Sequence, residues 1–154
     1  MADAAPGVRA PRLTTLLLTA LLAGCASGGE RWWPQAAVGT PDLAAVWGLP
    51  ETQADAGLSC TGETVTVWLA SDAPLAAGKP VSISAGTATL AVSERFVVDG
   101  IGAAEFDIPL ASPLAAAIAG GARELRFAWH TGPGRLPLGT VPRRLVRDCR
   151  AGRR

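Results

Sequence analysis

The chain is 154 residues long, 49% hydrophobic and 18% charged, with a formal net charge of +1, five Trp, three Cys and a single His. That apolar content excludes an intrinsically disordered chain, and the length suffices for one domain of ordinary size. With His130 alone, HExxH zinc sites and multi-histidine metal centres are excluded; no nucleophile elbow, P-loop or dinucleotide fingerprint occurs either.

The first element in chain order is a targeting segment. Arg9 and Arg12 precede Leu13 to Leu22, an apolar stretch broken only by Thr14, Thr15 and Thr19, after which Ala23 and Gly24 lead to Cys25. A positive n-region, an apolar run of roughly 7 to 15 residues and small residues at the cut describe a secretory signal peptide, too short to span a bilayer that needs ~20 apolar residues. The string Leu22-Ala23-Gly24-Cys25 resembles the lipobox of bacterial lipoproteins. The resemblance implies a diacylglyceryl thioether on Cys25, cleavage just before it, and acylation of the new amino terminus by a fatty acid such as palmitate. It also implies a cell-envelope address, in the cell membrane or the outer membrane and facing the periplasm. Ala26 in place of an Asp points, by the same resemblance, to the outer membrane. Each buried CH₂ contributes about 0.8 kcal/mol, so two or three acyl chains hold stably where one holds marginally.

Residues 1–24 are therefore expected to be signal peptide, 25–39 the lipidated N-terminus and linker, 40–150 a single β-rich domain, and 151–154 a basic tail. Trp32 and Trp33 follow the small-residue linker; they either cap the core, the commoner fate of such residues, or rest at the membrane interface, where indole rings are favoured. Residues 40–48, "TPDLAAVWG", carry helix signals: Thr40 as N-cap, Pro41 and Asp42 in the first turn, Gly48 as terminator. After the polar stretch "ETQADAG" the pattern changes to period two. Val65, Val67 and Leu69 alternate with Thr64, Thr66 and Trp68, which predicts a strand entered just after Cys60.

Val81 and Ile83, then Leu90 and Val92, alternate with small or polar residues across Ala85-Gly86, predicting a hairpin. "RFVV" predicts another strand ended by Asp99-Gly100, and Ala104, Phe106 and Ile108 predict one with Glu105 and Asp107 on its opposite face. "SPLAAAIAGG", residues 112–121, has Ser as N-cap, Pro at N1 and Gly as stop, and reads as an isolated helix. Leu125, Phe127 and Trp129 mark the clearest strand; "TGPG" turns the chain and "RLPL" returns as an edge strand, where Pro137 is tolerated. Val141, Leu145 and Cys149 recur every four residues with arginines on the other face, as in a short amphipathic helix. The expected fold is mainly β: a small antiparallel β-sandwich or barrel-like domain with two or three short helices and one disulfide.

That disulfide follows from cysteine arithmetic. With Cys25 committed to lipid, Cys60 and Cys149 are an even count in an oxidising compartment, with no neighbouring His or Cys at metal-ligand spacing. Charge is segregated: residues 25–142 carry six basic and eleven acidic side chains, whereas the last twelve residues carry six Arg against Asp148 alone. Arg143, Arg144, Arg147 and Arg150 form either a partner or membrane contact or a solvated helix face.

Carboxylates occur in loose pairs; one such pair, Glu105 and Asp107, fits a solvent-facing row on a strand better than a catalytic pair, and His130 reads as a solvated strand-end residue. Lipobox, mature length, β-rich pattern and one disulfide together resemble the small lipid-anchored β-barrel inhibitors of lysozyme of Gram-negative envelopes, without their active-site loop motif. The expectation is a lipid-anchored, non-catalytic envelope protein that binds another protein or supports an assembly, without catalytic residue, metal, cofactor or nucleic acid. A small envelope hydrolase, or an inhibitor like those named, is the alternative.

Overall fold

The computed structural model describes residues 31–36, 43–48, 54–99, 101–129 and 132–153. Ten strands and two helices are found among them, in the order β1 (Arg31–Ala36), β2 (Leu43–Gly48), β3 (Ala56–Thr61), β4 (Thr64–Ala70), β5 (Val81–Ala85), β6 (Ala88–Val92), β7 (Glu94–Asp99), β8 (Ile101–Pro109), α1 (Pro113–Gly120), β9 (Glu124–Trp129), β10 (Gly132–Pro137) and α2 (Thr140–Arg150). The strands form two antiparallel sheets: six strands in the order β1-β2-β3-β4-β8-β7, and four in the order β10-β9-β5-β6. The domain is mainly β, as the sequence pattern predicts.

The alternation of side chains dictates which face of each strand is apolar. Leu58, Val67 and Phe106 stand in one cross-strand row of the larger sheet, and Leu136, Leu125 and Ile83 lie on the inner side of the smaller; all are buried in one core. The sheets meet where the Phe106 and Phe127 rings pack with centroids 5.7 Å apart. Both helices add to that core, α1 through Leu114, Ala115 and Ile118, α2 through Leu145, Val146 and Cys149. The prolines fall where the ladder tolerates them: Pro34 in β1 and Pro137 in β10 both lie in edge strands.

Three expectations need correction. Residues 43–48 are not the end of a helix but strand β2, paired with β1 along its whole length and with β3 from Ala44 to Trp47. Second, strand β1 falls inside the segment expected to be linker, so the β-rich domain starts ahead of residue 40. Trp32 is a core residue whose Nε1–H donates to the Pro137 carbonyl at 2.7 Å, and the Trp33 side chain lies outside the described residues. Third, Cys60 belongs to a strand of its own, β3, which the polar string before it conceals.

Strand β3 lacks a period-two signal because one of its faces is covered from the neighbouring strand. Gly57 pairs with Trp68, whose indole lies over it; a Cβ there would meet three ring atoms within 2.4–2.5 Å. Aromatic cover of a strand glycine substitutes ring area for the missing side chain. Cys60 and Cys149 form the disulfide, with Cα atoms 6.4 Å apart, tying α2 to β3.

Candidate functional site

The arginine-rich end of the chain takes its geometry from the two helices. Helix α1 is bounded by its own chemistry: Ser112 Oγ accepts from the Ala115 amide, and Gly121, at φ 113°, ends the helix in the left-handed region. The Ala122 amide then donates to the Ala117 carbonyl at 3.0 Å, the reverse-turn closure typical of a glycine stop. Helix α2 buries Pro142, Leu145, Val146 and Cys149 and turns its arginines away from the core.

Those arginines do not form one uniform face. Arg147 Nη2 donates to the Ala119 carbonyl at 3.1 Å; Arg143 donates through Nε to Ala122 and through Nη2 to Leu138, at 3.2 and 3.0 Å. Two cations thus sit at the carbonyl end of α1, where unpaired C=O groups carry partial negative charge. Arg144 and Arg153 lean instead on Asp148, at 3.7 and 2.9 Å, with the Arg144 side chain 85% exposed. Arg150 is exposed. Thr140, Arg143, Arg144, Arg147, Asp148 and Arg153 line an open groove of about 390 Å³ with four guanidinium groups and one carboxylate.

The outer face of the six-stranded sheet carries the carboxylates singled out from sequence. Glu105 accepts from Arg95 across the β7–β8 pair, and Asp107 accepts from the Thr66 hydroxyl at 2.6 Å while lying 3.6 Å from Arg95. The hydrogen bond to Glu105, then the charges of Asp107 and Glu105, raise the Arg95 pKa further above its ordinary value. Both carboxylates are occupied by cross-strand partners, as in a structural row. A second cluster lies outside the smaller sheet, where Arg126 and Arg135 face each other across β9–β10 with Glu124 between them. The Arg126 hydrogen bond holds the Glu124 carboxyl below the usual carboxylate range.

Glu94 is a residue that the sequence pattern does not single out. Its two carboxylate oxygens accept from the Leu75 and Ala76 amides at 2.6 and 2.7 Å, clamping the β4–β5 connection against the edge strand. Only the pairing of a carboxylate with loop amides reveals it, and no local motif encodes that. Cys25 and His130 lie outside the described residues. Among the described residues no group of three or more His, Cys, Asp or Glu side chains could hold a metal ion, and no helix is long and apolar enough to cross a membrane. The chain matches no family model, no curated protein and no solved structure.

Proposed function

We propose that the protein is an exported, lipid-anchored module of the bacterial cell envelope, non-catalytic, that works by binding. The observation that carries the reading is the Cys60–Cys149 bridge behind a lipobox-like string. Structural disulfides persist in oxidising compartments, so two features at opposite ends of the chain agree on export. The anchor is Cys25, and the signal segment ends at Gly24. A binding role is supported by the way in which the acidic side chains are spent. Glu105, Asp107 and Glu94 are engaged by Arg95, Thr66 and loop amides, whereas the largest unbalanced charge gathers on α2.

Substituting Cys25→Ser tests the anchor: the protein leaves the membrane fraction or accumulates as an unprocessed precursor. An unchanged mature mass with unchanged fractionation overturns it. Incubation with peptidoglycan fragments, esters and peptides tests the non-catalytic part. Turnover that disappears on changing Glu105→Gln or His130→Gln overturns that reading in favour of a small envelope hydrolase.

A further inference from the structure

We propose that the outward face of α2 docks on the anionic phosphate headgroups of the bilayer that carries the anchor, and so fixes how the domain stands on the membrane. This rests on the reading of Cys25 as the lipidated terminus. The Trp32 hydrogen bond to Pro137, and the closeness of the Trp32 ring to Gly139, where an added Cβ would lie 3.4 Å from it, bring the chain into the fold beside the first turn of α2. Trp32 lies seven positions after Cys25, so even a fully extended chain between them spans no more than ~25 Å. Helix α2 itself is about 16 Å long at eleven residues. A tether that short keeps the arginine face within reach of the headgroups.

The face is built for phosphate in three respects. Its backbone is fixed before contact, because Cys149 is bonded to β3 and Leu145 and Val146 are buried, so presenting the side chains costs little ordering. Arg143 and Arg147 are themselves held by the carbonyls of Leu138, Ala119 and Ala122; each guanidinium has five N–H donors, which leaves others for a ligand. The single carboxylate, Asp148, is taken up by Arg144 and Arg153, leaving an excess of positive charge along the groove. Planar guanidinium forks match phosphate oxygens, and juxtamembrane arginines are attracted to anionic leaflets.

A chain beginning at Ala26 contains every described core residue, Trp32 to Cys149, with its disulfide, and serves for the test. It is sedimented with phosphatidylglycerol-containing vesicles and with phosphatidylcholine vesicles, at low and raised salt. Binding to the first, weakening with salt and absent from the second, is the expected result. Arg144→Gln, Arg150→Gln and Arg153→Gln together lower partitioning by ~10- to 100-fold. These three donate to no carbonyl of α1, so the thermal midpoint stays near that of the parent. Arg126→Gln with Arg135→Gln, which removes charge from the opposite sheet, leaves partitioning within about twofold if the α2 face is the contact. Absence of binding, equal binding to neutral vesicles, or equal loss in the two variants overturns the docking. None of these outcomes depends on Cys25, whose own substitution tests the anchor separately.

Discussion

Two stretches of this chain, "TPDLAAVWG" at 40–48 and "SPLAAAIAGG" at 112–121, are built almost alike, with a hydroxyl residue, a proline, an alanine-rich middle and a closing glycine. The second is helix α1; the described part of the first, Leu43–Gly48, is strand β2. The difference lies in what surrounds each. Ser112 makes its capping bond, Gly121 and Ala122 close the far end, and α2 brings Arg147 to a remaining carbonyl. Strand β2 has neighbours on both edges, which satisfy its backbone through ladders that no cap can match. Val46 and Trp47, near its end, also suit a pleated surface; Val46 is buried on one face and Trp47 packs against the tilted Trp32 ring on the other, centroids 5.7 Å apart. Helix signals are a weak prior that tertiary pairing overrides.

The largest effect is expected from the element that touches both regions, α2, which packs on α1 and on β1 to β3. Replacing Cys60→Ala and Cys149→Ala opens a bridge between residues 89 positions apart, and should cost about 2–5 kcal/mol in denaturant unfolding. If loss is confined to α1 amides in hydrogen exchange, α2 is not the shared support described here.

The next prediction strengthens the local helix preference of the first stretch and asks whether it prevails. Val46→Ala with Trp47→Ala leaves an alanine run of high helix propensity and removes the Trp32–Trp47 contact. The strand should persist, by carbon chemical shifts, while the domain loses about 2–4 kcal/mol. Helical shifts at 43–48 in a folded domain would show that local preference, not pairing, decides this segment. A smaller loss is expected at the other stretch: Ser112→Ala removes the α1 cap and should cost about 1 kcal/mol, with the helix retained.

The same contrast explains what could be read in the sequence. Segments whose signal is local are legible: the caps of α1, the alternation of Val65 and Val67, the hairpin at Val81–Val92 and the four-residue period of α2; the Cys60–Cys149 pair is legible from the cysteine count. Segments whose signal is a neighbour are not. Strand β1 carries no alternation of its own, and its partner β2 carries helix signals; β3 is hidden because Gly57 takes its cover from Trp68. The candidate site followed the same rule. The arginines were visible as a run, but their division into a pair gripping α1 and a set facing outward depends on where Ala119 and Ala122 end up, which no spacing within α2 records.

The smallest effect concerns that pair and separates the two stretches most sharply. Arg147→Met keeps the length of the side chain but withdraws the donor from the Ala119 carbonyl, and should cost about 0.3–1 kcal/mol, since a cation at a helix C-terminus contributes that much at low ionic strength. The substitution also relieves repulsion from Arg143, Arg144 and Arg150, which works in the opposite direction. Arg144→Met is the control: Arg144 shares the charged surroundings, faces solvent and reaches no α1 carbonyl, and its exposed 3.7 Å pair with Asp148, which Arg153 also holds, contributes little. The difference between the two variants isolates the helix-end contact, and it should shrink as salt screens the interaction between cation and helix terminus. Amide exchange should quicken at Gly121 and Ala122, which close α1, and stay unchanged at Ala45 and Val46, whose bonds belong to ladders. Equal effects of Arg147→Met and Arg144→Met would mean that α1 is ended by Gly121 alone, and that the arginines of α2 are all equally free to face outward.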